Sequence, residues 1–161
     1  MSDKTGITLS VNGAAYEIRV EPRYTLADAL RDECGLTGTN SGCEHGVCGS
    51  CTVIVDGEPV RSCLMFAVQA EGRKIRTVEG LADGDKLHPL QQAFIESHGL
   101  QCGFCTPGFL MLAASLLEAD PDIRDEDLVE ALSSNLCRCT GYQNIIKSVL
   151  AAAAEMRRVK S

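Results

Sequence analysis

The chain has 161 residues, enough for one ordinary domain or two small ones, and its 45% hydrophobic content argues for packed cores rather than disorder. Its net charge is −7, and its basic residues cluster only at Arg157, Arg158 and Lys160, so the basic stripe of a nucleic-acid binder is missing. No apolar run reaches the roughly 20 residues that span a bilayer, and the stretch from Met1 to Gly6 lacks the apolar centre of a secretory signal, so a cytoplasmic protein is expected.

The first half reads as β structure with one helix. Ile7 to Val11 and Tyr16 to Val20 alternate in strand fashion around the hairpin signal Asn12-Gly13. Thr25 followed by Asp28 three residues later marks a helix start, Leu26, Ala29 and Leu30 supply its apolar face, and Gly35 ends it. A Gly- and Cys-rich loop leads to a strand over Thr52 to Asp56, a turn at Asp56-Gly57 and a second strand over Val60 to Cys63. This order fits a small β-grasp sheet.

The second half reads as all helix. The segments are Leu87 to His98; Gly108 to Ala119, opened by a Thr106 cap and Pro107; Asp125 to about Ser134; and the Ala-rich Gln143 to Val159. The polar stretch Gly80 to Lys86 is the linker between the halves.

Nine cysteines are too many for chance in a reducing compartment, and an odd count suits a disulfide framework poorly. Grouped cysteines there point to metal. Cys43, Cys48, Cys51 and Cys63 have the spacing C-x4-C-x2-C-x11-C, whose first three members match the plant-type [2Fe–2S] pattern. Gly42, Gly46 and Gly49 allow a tight loop whose amides turn towards sulfur and stabilise its negative charge. A structural zinc site would normally pair two CxxC knuckles, and this set holds one.

Cys102, Cys105, Cys137 and Cys139 form the second set, spaced C-x2-C-x31-C-x-C. They sit near helix starts, where amide dipoles favour thiolate charge. Four thiolates suit zinc as well as a cluster, so chemistry alone leaves both open here. Cys34, standing apart after a helix, reads as a packed thiol. His45, His88 and His98 are scattered and read as surface or loop residues.

Read as whole phrases, GCEHGVCGSCTV at 42–53, QCGFCTPG at 101–108 and NLCRCTGY at 135–142, with Thr77-Val-Glu-Gly-Leu81 between them, resemble one family closely. It is the small iron–sulfur subunit of the molybdenum hydroxylases: xanthine dehydrogenase, aldehyde oxidoreductase and aerobic carbon monoxide dehydrogenase. The resemblance implies an α+β chain. Residues 1–80 would form a β-grasp, plant-type ferredoxin-like domain, and residues 81–161 an all-α four-helix [2Fe–2S] domain. It implies two [2Fe–2S] clusters, the first set of cysteines holding the flavin-side one and the second set the molybdenum-side one. Gln101 would contact the pterin, and electrons would leave the pterin through Cys139. Partners would be a large molybdopterin subunit and a medium FAD subunit, assembled as a dimer of heterotrimers. That complex would lie in the cytoplasm, with peripheral contact to the inner face of the membrane a further expectation. It would hydroxylate a C–H bond with oxygen from water, and this chain would have no substrate site of its own. A stand-alone ferredoxin-like carrier and a zinc-binding interaction module are the rival classes, and an absorption spectrum separates all three.

Overall fold

A computed structural model describes residues 3–160. Met1 and Ser2, part of the stretch read as lacking a secretory signal and of the expected first domain, and Ser161, the end of the expected second domain, lie outside the described residues. Strands β1 (Thr5–Val11) and β2 (Ala14–Val20) pair antiparallel from Thr5 with Val20 to Val11 with Ala14. Their turn takes left-handed φ at both Asn12 (52°) and Gly13 (82°), the twist that a two-residue hairpin needs. Asn12 then does a second job. Its side chain brackets Thr77, accepting from the Thr77 amide at 2.9 Å and donating to the Thr77 hydroxyl at 2.8 Å.

Strands β3 (Thr52–Val55) and β4 (Glu58–Arg61) form the second hairpin, and β5 (Lys74–Arg76) completes a mixed sheet in the order β2-β1-β5-β3-β4. β5 runs parallel to β1 and antiparallel to β3. It is absent from the sequence expectation because three residues, of which Ile75 alone is buried, carry no period-2 signal. Long-range pairing makes it a strand: its Ile75 carbonyl accepts from Asn12, and its Lys74 carbonyl accepts from Asp56, both at 2.9 Å.

Helix α1 (Leu26–Asp28) crosses one face of the sheet and continues as a wider π turn over Ala29–Glu33. Leu26, Ala29 and Leu30 pack with Leu9, Val11 and Val53. Thr25 caps the helix, accepting from the Asp28 amide at 3.1 Å, and the Leu36 amide closes its end on the Leu30 carbonyl at 2.8 Å. Residues 24–26 also pair with 65–67, through Leu26 N to Met65 O at 2.7 Å and Ala67 N to Tyr24 O at 2.9 Å. That pairing fixes the tight turn Ser62–Leu64, in which Cys63 lies two residues beyond the end of β4. Thr25→Ala should therefore cost about 1 kcal/mol, read as a lower urea midpoint.

The helices are α2 (Pro89–Glu96), α3 (Thr106–Ala119), α4 (Asp125–Leu132) and α5 (Gln143–Lys160). α2 starts later than its periodicity suggests because His88 is its cap, accepting from the Leu90 amide at 3.2 Å, with Pro89 in the first turn. His88 is thus a structural cap, and burial holds its imidazole below the ordinary range. At α3 the cap lies one residue earlier than expected, on Cys105, with Thr106 and Pro107 inside the helix.

The two halves are not strung apart on a linker. Every residue of β3 is buried: Val53 and Val55 belong to the core beneath α1, and Ile54 to the core among the helices. Leu81, inside the expected linker, is buried in that helical core. Ser115 of α3 donates to the Gly57 carbonyl at 2.8 Å, and Arg76 reaches both carboxylate oxygens of Glu118 at 2.7 and 2.8 Å. The whole is an α+β arrangement of the ferredoxin-like kind, with helices laid against the sheet.

Candidate metal centres

The loop after α1 wraps on itself between Ser41 and Cys51. Gly46 takes φ +81°, a left-handed backbone that favours glycine, and a Cβ there would meet only the tip of the exposed Leu64 side chain. The loop turns amides onto Cys43 Sγ. Those of Cys48, His45 and Val47 all donate to it and hold its thiol down to about 6. The Cys48 amide lies at 3.3 Å. Cys51 and Cys63 are buried beside Ala27 of α1. Burial, and then the adjoining Cys51 thiol, push Cys63 up to about 11.

The second set gathers where α3 begins. Cys102 and Cys139 are exposed, with their sulfurs 3.5 Å apart. Cys105 is half-buried and hydrogen-bonded to the buried Cys137. Burial, then the Cys137 thiol, push Cys105 up to about 12, and this outweighs the helix-end amide that lowers it. So the helix dipole expected from sequence acts here as the minor influence. At Cys137 the balance reverses: burial opposes the thiolate, but donors led by the Thr140 hydroxyl and amide bring it below the ordinary thiol range.

All eight motif cysteines are thus brought together in their two sets. Within each set they fall into touching pairs: Cys43 with Cys48, Cys51 with Cys63, Cys102 with Cys139, and Cys105 with Cys137. Among the described residues, no three or more His, Cys, Asp or Glu converge on one point as a site for a single metal ion. Two irons bridged by two sulfides take two thiolates each, so paired thiols with amide donors around them fit a [2Fe–2S] group. Cys34 lies away from both sets, packed against the sheet core, and burial pushes its thiol up to about 11. His45 and His98 are exposed.

The sets adjoin. A cleft of about 730 Å³ is lined by all four second-set cysteines together with Cys48, Phe104 and Tyr142. The Leu136 amide, next to Cys137, donates to the Cys48 carbonyl at 2.9 Å. Arg61 of β4 donates to the Ser134 carbonyl at 3.0 Å and hydroxyl at 3.2 Å, and Asn40 donates to the Phe104 carbonyl at 2.9 Å. Asn135 is buried against Gly49, its amide nitrogen 3.4 Å from that carbonyl and its Oδ1 without a hydrogen-bond partner. Gln101 is exposed beside Cys102. Sequence reasoning missed Arg61, Asn135, Thr140 and Tyr142. The one signal available was Thr140, a hydroxyl three residues after a cysteine, the spacing of a side-chain turn.

Comparison with known proteins agrees with this geometry. Residues 9–82 match the family of 2Fe-2S iron-sulfur cluster binding domains, and residues 77–150 match a second family, the [2Fe-2S] binding domain. The chain is 59% identical to caffeine dehydrogenase subunit gamma of Pseudomonas sp. (strain CBB1), covering 96% of this chain and 95% of that one. It is 57% identical to the nicotine 6-hydroxylase small subunit of Paenarthrobacter nicotinovorans, covering 96% and 93% respectively. The solved structure of quinoline 2-oxidoreductase from Pseudomonas putida 86 superposes with a TM-score of 0.91 at 52% identity, over 99% of this chain and 100% of the matched chain. The chain belongs to the family of small iron–sulfur subunits of molybdenum hydroxylases. It carries two [2Fe–2S]-binding domains and has the electron-transfer role of an iron–sulfur subunit in an oxidoreductase complex.

Proposed function

We propose that the chain relays electrons from a molybdopterin site in a large partner subunit, through the second cysteine set and then the first, to FAD in a medium subunit. Held by these eight cysteines, two [2Fe–2S] groups supply one-electron steps between the two-electron chemistries of molybdenum and flavin. The observation that carries the reading is the Leu136-to-Cys48 hydrogen bond, which joins a neighbour of one thiol set directly to a member of the other. Such contact matters because electron tunnelling falls steeply with distance.

Apolar side chains are exposed along this line: Leu100 near the second set, Val47, Leu64 and Phe66 near the first, and Phe104 and Leu136 at the cleft where the two sets adjoin. Exposed apolar groups of this kind suit docking against partner subunits. In this reading Gln101 and the exposed Cys139 meet the pterin, and Cys43 lies on the flavin side. Residues 1–80 form the plant-type ferredoxin-like unit and residues 81–161 the four-helix unit. The complex is a cytoplasmic dimer of heterotrimers, and substrate binds in the large subunit only. Among the described residues no helix is long and apolar enough to cross a membrane. Relatives named for caffeine, nicotine and quinoline favour a nitrogen heterocycle as the substrate.

The two environments should give two distinguishable EPR signals with different potentials. One set sits in a loop with three amides on Cys43, and the other between helix ends with a hydroxyl on Cys137. An anaerobic redox titration of the purified complex tests this. A single signal titrating at one potential would contradict the two-station relay.

A further inference from the structure

Residues 137–142 close on themselves through hydrogen bonds. The Thr140 amide and hydroxyl both reach Cys137 Sγ, at 3.4 and 3.1 Å. The Tyr142 amide donates to Thr140 Oγ1 at 3.1 Å, and the Cys137 amide donates to Tyr142 Oη at 3.0 Å. A hydroxyl carries one proton. Because Thr140 Oγ1 already accepts from the Tyr142 amide, that proton is directed at sulfur. The knot is held under strain: Tyr142 adopts left-handed φ (69°), uncommon for an aromatic residue, while its ring stands edge-on to Phe109 at 6.4 Å. Among the described residues, Thr140 is the one hydroxyl donating to a second-set sulfur.

We propose that the Thr140 hydroxyl sets the reduction potential of the centre bound by the second cysteine set, acting through the Cys137 sulfur. The inference rests on that set holding a [2Fe–2S] group. Reduction adds negative charge to the iron and its thiolates, so a donor on sulfur strengthens and favours the reduced state. Removing the donor lowers the potential. Cys137 is the buried member of its set, where a fixed donor counts for more than it would in water. Tyr142 is then a positioning residue, since its amide orients the hydroxyl and its own hydroxyl anchors the Cys137 amide.

The test is an EPR-monitored redox titration of the protein purified in its complex, comparing the wild type with Thr140→Val, Thr140→Ala and Thr140→Ser. The second-set signal is identified as the one that Cys43→Ser leaves in place. Thr140→Val should reduce the equilibrium constant for one-electron reduction of that centre about tenfold, a downward shift of about 59 mV. The other centre should not move, and Thr140→Ser should restore most of the loss. An unchanged potential in Thr140→Val with full iron content overturns the proposal, as does an equal shift in Thr140→Ser. If Thr140→Val sheds iron, Thr140→Ala is read in its place, and loss of second-set iron from both overturns it too. A wild type lacking one of the two signals would instead sink the two-cluster reading on which the inference rests.

Discussion

Cys43→Ser should stop electron flow to flavin while leaving the second centre reducible by substrate. Cys43 is the first-set thiol on which three backbone amides converge, and serine there is a poorer, harder ligand with a much higher pKa. The loss of overall turnover should exceed the ~10–100-fold that substitutions around a metal site typically cause, because a ligand itself is gone. Cluster binding and folding are coupled, so the iron content of the variant must be measured alongside. The informative species is the one that keeps its second-set iron. Rapid mixing with substrate should reduce that centre and go no further. The expectation follows from order: a relay works only in sequence, and breaking a late link leaves the earlier one functional. If the second centre, still loaded, is no longer reduced, the proposed direction is wrong.

Gly108→Ala should be strongly destabilising, against the sign that helix propensity gives. Alanine in place of a helical glycine would ordinarily gain up to about 1 kcal/mol. Here the added Cβ would lie 2.2 Å from the Gly49 carbonyl oxygen and 3.0 Å from Ser50 Cα, both backbone atoms that cannot swing aside. Overpacking of this kind costs about 3 kcal/mol, so sterics win. Relief requires α3 to move away from the first-set loop, carrying Cys105 with it. A lower urea midpoint and weaker magnetic coupling between the two reduced centres are the expected results. A variant as stable as the wild type would show that the backbones do not meet here.

Much of the fold was legible because the strong signals are local. Asn12-Gly13, Thr25 with Asp28, and the alternation in Ile7 to Val11 each commit a few neighbouring residues, and those elements form where expected. β5 was not legible, since three residues become a strand only when Asn12 and Asp56 pair with them. The π turn after α1 and the His88 cap were hidden for a similar reason: each is settled by its surroundings rather than by composition. The eight cysteines could be sorted into two sets from spacing. Their division into touching pairs could not, because Cys105 meets Cys137 across 31 intervening residues. The close packing of the halves was equally invisible. The alternation of a strand puts Ile54 on the face opposite Val53 and Val55, but sequence does not say that the helices of the second half supply the core on the Ile54 side.

The most direct test of two [2Fe–2S] centres is elemental analysis of anaerobically purified protein for iron, acid-labile sulfide and zinc. Eight paired cysteines at four per cluster require four irons and four sulfides per chain. Two irons per chain, or stoichiometric zinc, would contradict it.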